Sequence, residues 1–90
     1  MGLAIVLAPE ERIRVGAKWY TLRRSEFSNW KLVRGDGAEV VLPANGLVVL
    51  QHGVEVGLGL QKSSSVAKLR FEADRSIQIL REQHLPPEEQ

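Results

Sequence analysis

VAKLRFEADRSIQILRE, residues 66–82, carries the cleanest alternation in the chain. Ala67, Leu69 and Phe71 fall on one face of an extended strand and Lys68, Arg70 and Glu72 on the other, which is the period of a half-buried strand. Ala73, Asp74, Arg75 and Ser76 contain no β-branched residue, and Asp74 and Ser76 can bond to their own backbone, so a turn is expected there. Ile77 and Ile79 resume the alternation, and the stretch reads as a hairpin. Two strands alone are marginal in water, so this hairpin must pack on the rest of the chain or on a second copy.

Working outward, the same grammar recurs. LAIVLA, residues 3–8, is apolar on both faces, which suits a strand buried on both sides or held at an interface. Pro9, Glu10 and Glu11 end it. Arg12, Ile13, Arg14 and Val15 alternate again and stop at Gly16. The paired acids read as a solvated turn rather than an acid/base site, because no second carboxylate cluster accompanies them.

From Trp30 the chain reads as a meander: WKLVR, a turn at Asp36-Gly37, AEVVL, a turn at Asn45-Gly46, then LVVLQ. Both dipeptides are strong hairpin signals because they accept positive φ. Pro43 confines its strand to an edge or an end. Arg34-Gly35-Asp36 spells an adhesion tripeptide, but turn chemistry accounts for all three residues. Gly57 and Gly59 lie on one face of VEVGLGLQ, residues 54–61, where close approach of another group is expected rather than a phosphate loop. Lys62 and Ser63 to Ser65 read as a polar turn, and residues 83–90, which include Pro86 and Pro87, read as a polar tail. The fold class is all-β, a small sheet or barrel of about seven or eight short antiparallel strands in a single domain, residues 1–90.

With 90 residues, 43% hydrophobic and 26% charged, there is room for one core only. A domain this small buries only ~60% of its unfolded surface. Without cysteine, dimerisation is the remaining common way to add stability. The net charge of +1 gives no global pull toward nucleic acid, so any such binding must come from a local patch. LAIVLA lacks the basic flank of a signal peptide and no apolar run approaches ~20 residues, so the chain reads as cytoplasmic, with no membrane contact.

The closing stretch, AKLRFEADRSIQILREQ, resembles the end of the carbon storage regulator (CsrA/RsmA) family: Ala73, Ile77, Ile79, Arg81 and Glu82 match in type and spacing. VEVGLGLQKSSS sits where that family has a strand and a small-residue turn. LAIVLAPEERIRVG looks like its opening strands, with Ile13, Val15 and Gly16 in register. Residues 17–52 are then an insertion. The family's opening strand ends in Thr-Arg-Arg, where Val6, Leu7 and Ala8 stand here; its Pro after Ala is Asp74, and a Gly of the penultimate strand is Arg70. The resemblance implies a bacterial-type translational regulator, an intertwined homodimer in which the first strand of one copy lies beside the last strand of the other. The paired edges would grip a GGA-containing loop of single-stranded RNA, with Arg81 keeping a binding role and Ile79 and Leu80 flanking it.

The residues supply further candidates. Arg12 and Arg14 share the outward face of their strand. Arg23 and Arg24 lie in AKWYTLRRSEFSNWKLVR, residues 17–34, where Trp19, Tyr20, Phe27 and Trp30 alternate with cations. Aromatic faces beside cations are what single-stranded RNA binding needs; the competing expectation is that the tryptophans fill the core. No nucleophile and base, cofactor loop or ligand-spaced histidine set can be assembled, since His52 and His84 stand apart, so neither catalysis, cofactor nor metal is expected. The rival function is an all-β protein-interaction module, of phage or accessory origin, that does not bind RNA.

Overall fold

The structure, a computed structural model, describes residues 2–24, 29–61 and 65–82. Phe27, the Ser25–Glu26 loop, most of the Lys62–Ser65 turn, His84 and the tail 83–90 lie outside the described residues. Among the described residues nine strands are formed, all antiparallel: β1 (Gly2–Leu7), β2 (Arg12–Val15), β3 (Lys18–Arg24), β4 (Trp30–Arg34), β5 (Glu39–Val41), β6 (Val48–Gln51), β7 (Val54–Leu58), β8 (Ala67–Ala73) and β9 (Ile79–Arg81). They make two sheets. The first runs β1-β8-β7-β6 and the second β5-β4-β3-β2-β9. Their inward faces share one hydrophobic core, so the all-β expectation holds, with nine strands rather than seven or eight.

The alternation that placed Ala67, Leu69 and Phe71 inside is correct: all three are fully buried at the centre of the first sheet, against Leu7, Ile5 and Leu3 of β1. The hairpin is not. β8 already has β1 on one side and β7 on the other, so no edge is left for the segment that follows. Instead residues 74–78 carry the chain to the second sheet, where β9 pairs with β2. Ile77 N–H donates to the Asp74 carbonyl (3.1 Å) and Gly16 N–H to the Gln78 carbonyl (2.8 Å). Ile77 packs over Gly53 of one sheet and Gly16 of the other, bracing the crossing.

The second expected hairpin fails in the same way. Asp36-Gly37 does join β4 to β5, with Gly37 at φ 95°, but Asn45-Gly46 separates strands in different sheets. Gly46 takes the expected positive φ, 81°, yet its carbonyl is laid over Gly57, and the Pro43 carbonyl accepts from Leu58 N–H (3.2 Å). The close approach expected over Gly57 is therefore made by the 42–47 loop, and that over Gly59 by the stem of Lys68.

The segment 17–52 supplies β3, β4, β5 and β6, extending both sheets rather than forming a module of its own. Its aromatics divide. Tyr20 and Trp30 are in the core, and Tyr20 O–H donates to Gln51 Oε1 (2.8 Å) while burial pushes its phenol above the ordinary value. Trp19 alternates to the outer face, half-buried. Among the described residues no helix is long and apolar enough to cross a membrane.

Candidate nucleic-acid interface

Among the described residues each sheet ends in a strand with one unpaired edge on the same side of the molecule: β1 in the first sheet and β9 in the second. A groove of about 400 Å³ runs between them, lined by Leu3, Ala4, Ile5 and Val6 from β1 and by Ile79, Leu80 and Arg81 from β9. β1 is not buried on both sides, as its apolar run suggested, because it is the end strand of its sheet. Ile5 and Leu7 point into the core, whereas Leu3 and Val6 stay exposed at the groove.

Register sets what surrounds the groove. Arg81 lies opposite the buried Ile13, so it shares the inward face and emerges where β9 ends. Leu80 lies opposite Arg14, and Arg14 opposite Trp19, so the three form one row on the outer face of the second sheet. Arg12 stands one step along, its guanidinium 4.6 Å from the Trp19 ring centroid and its Nε bonded to Glu82 Oε2. That bond raises the arginine's affinity for its proton and holds the Glu82 carboxyl below its ordinary value.

Four of the six expected site residues, Arg81, Leu80, Arg14 and Arg12, are thus gathered at the β9–β2 edge. Arg23 and Arg24 are not: they stand at the far end of β3, two strands from β9. Arg23 faces Glu10 (Nε to Oε2, 3.3 Å), and Arg24 covers the Trp30 ring at 4.2 Å, capping the core there. The adhesion tripeptide closes on itself, with Arg34 Nε and Nη2 donating to Asp36 Oδ1 (3.0 Å) and Oδ2 (2.6 Å).

The other lip of the groove carries residues that the sequence did not mark. Arg70 lies directly opposite Ala4 and Lys68 opposite Val6, on the outer face of β8. Alternation alone gives that face; the β1–β8 register, which sets them beside the groove, is not visible in it. A second depression of about 430 Å³ on the first sheet is lined by Glu55 and Glu72, which are register partners on β7 and β8. Its lining holds two acids and no cation, whereas that of the β1–β9 groove holds Arg81 and no acid, so charge favours the β1–β9 groove for an anion. Among the described residues no group of acids and histidines could hold a metal ion. Comparison of the chain with family models, with curated proteins and with solved structures finds no match.

Proposed function

We propose that this chain is a non-catalytic, cytoplasmic RNA-binding regulator of translation that takes a single-stranded, GGA-containing loop into the β1–β9 groove. The observation that supports it is the meeting of the first and last strands, from opposite sheets, across one groove with cations beside both lips. The carbon storage regulator family, which the terminal segments resemble, pairs its first and last strands between two copies; here both flank a groove within one chain. Leu3, Val6 and Leu80 offer apolar contacts for bases, and Arg81, Arg14 and Arg12 offer contacts for phosphates. The Arg12–Glu82 pair does not preclude this. Both side chains are about two-fifths exposed, at 42% and 38%, and such pairs contribute only ~0 to 1 kcal/mol, so a phosphate can replace the carboxylate.

The test is fluorescence anisotropy with a labelled GGA-loop RNA at two salt concentrations. Binding should weaken with salt, with a slope near −0.7 per phosphate neutralised, and Arg81→Ala should cost ~1.5 to 3 kcal/mol of affinity. No change in anisotropy at low salt and micromolar protein would overturn the reading.

A second reading rests on β1 itself. Its sequence, GLAIVL, is uncharged, its outer edge is unpaired among the described residues and Val6 is 44% exposed, which is the kind of edge that takes an added strand. In that reading the chain is a protein-interaction module, and the homodimer forms by edge addition between two β1 strands. Light scattering decides it: a dimer mass that persists without RNA favours strand addition, and a monomer mass removes the homodimer.

A further inference from the structure

Arg70 occupies a position that the RNA reading of the groove leaves without a role. It stands at the middle of β8, exposed, with Ala4 opposite it on β1 and Gly57 opposite it on β7. Toward β7 the sheet surface is taken, because the Gly46 carbonyl sits over Gly57. Toward β1 the neighbour is a single methyl group, and beyond it lies the groove, one strand spacing of ~4.8 Å away and within an arginine's reach. Among the described residues neither Arg70 nor Lys68 makes an ion pair.

The two other long side chains on this face are directed elsewhere. Lys68 lies with its stem along Gly59, Cγ and Cδ 3.5 and 3.6 Å from where a Gly59 Cβ would stand, and so runs away from β1. Glu72 leans over Gly2, with Oε1 3.1 Å from the corresponding position, so the carboxylate guards one end of the β1 lip and leaves Ala4 to Arg70.

We infer that Arg70 is the phosphate-binding residue of the β1 lip: a single-stranded RNA seated in the groove carries a backbone phosphate over Ala4, where the guanidinium forks onto two of its oxygens. The inference rests on the RNA reading and adds a contact on the sheet opposite Arg81 and Arg14, so that one strand of RNA is held from both sides. A fork needs the planar guanidinium, so lysine is a poor replacement. Lys68 provides the internal control, with the same charge on the same strand and face but a different direction.

The experiment is anisotropy titration of wild type, Arg70→Ala, Arg70→Lys and Lys68→Ala against the GGA-loop RNA across a salt series, with thermal melts to verify folding. Arg70→Ala should weaken binding roughly tenfold or more and make the salt slope shallower by about 0.7, the value for one phosphate on a single strand. Arg70→Lys should fall between that variant and wild type. Lys68→Ala should stay within about twofold of wild type. Equal losses in Arg70→Ala and Lys68→Ala would mean that only general charge matters and would overturn the assignment while leaving the RNA reading intact. Binding unchanged in Arg70→Ala would do the same. A wild-type protein that fails to bind overturns both.

Discussion

The two sheets that flank the groove hold their cations in opposite conditions. On the second sheet Arg12 is clamped between the Trp19 ring and Glu82, Arg23 faces Glu10, and Lys31 faces Glu39 at 3.1 Å. On the first sheet Arg70 is flanked by Ala4 and by a glycine, and it makes no ion pair among the described residues. An engaged cation stabilises the fold a little and must exchange a partner before it meets a phosphate. An unengaged one contributes almost nothing to the fold and is available at once. Proximity of arginine to tryptophan in sequence therefore finds the engaged kind, because stacking on a neighbouring ring is itself an engagement.

The largest effect tests the register on which the contrast depends. Phe71 is fully buried and adjacent to Arg70, so alternation makes one structural and the other free. Phe71→Ala should cost ~3 to 5 kcal/mol in chemical denaturation, close to the whole stability of a domain this size. Arg70→Ala should stay within ~0.5 kcal/mol. Comparable losses in the two variants would mean that β8 is out of register by one residue, and Arg70 would no longer face Ala4.

A smaller effect separates the two arginines directly. Arg12→Ala removes the stack on Trp19, a contact worth ~0.5 to 1 kcal/mol at an exposed site, and leaves Glu82 without this partner. It should also shift the Trp19 emission, because the guanidinium covers one face of the ring, whereas Trp30 remains buried in the core. If Arg70→Ala destabilises the protein as much as Arg12→Ala does, Arg70 is engaged and the contrast between the lips collapses.

Which faces are buried was legible in the sequence, and which edges meet was not. Period two identified Leu69, Phe71, Ile13 and Val15 as interior, and the positive-φ signals at Gly37 and Gly46 marked places where the chain turns. A turn signal, however, states that the chain reverses and is silent on which sheet receives the next strand. Both failed hairpins, at Asn45-Gly46 and at residues 73–76, are crossings between sheets. One signal was available. The true hairpin turns at Asp36-Gly37 and His52-Gly53 are polar, whereas both crossings carry a half-buried apolar residue: Ile77, packed against the core, and Leu47, which lies with the Gly46 carbonyl over Gly57. The site suffered from the same limit. Arg81 and Leu80 were singled out by the resemblance of the last strand to the carbon storage regulator family, whereas Arg70 comes beside the groove only through the pairing of residue 4 with residue 70, which no local pattern reports.

The smallest effect concerns an engaged arginine away from the groove. Arg34 and Asp36 hold each other through two hydrogen bonds, and the Ala38 N–H adds a third to Asp36 Oδ1. The guanidinium bond, then the backbone bond, lower the Asp36 carboxyl from 3.8 to about 2. Because the folded value lies below the unfolded one, the ionised carboxylate favours the folded turn above pH 3.8, and that contribution disappears as pH falls toward about 2. The side chain is well exposed, so solvent screens the pair and the change in global stability should be slight, visible in the hairpin amides before it appears in the melting temperature. Carboxyl-carbon NMR titration should give Asp36 a midpoint near 2 in the wild type, returning most of the way to the ordinary value in Arg34→Gln. The Glu82 carboxyl should respond to Arg12→Ala in the same upward direction, since the Arg12 bond is what lowers it. Neither carboxyl should move in Arg70→Ala. A shift of either one in that variant would place Arg70 inside the network of engaged cations and remove the distinction between the two lips.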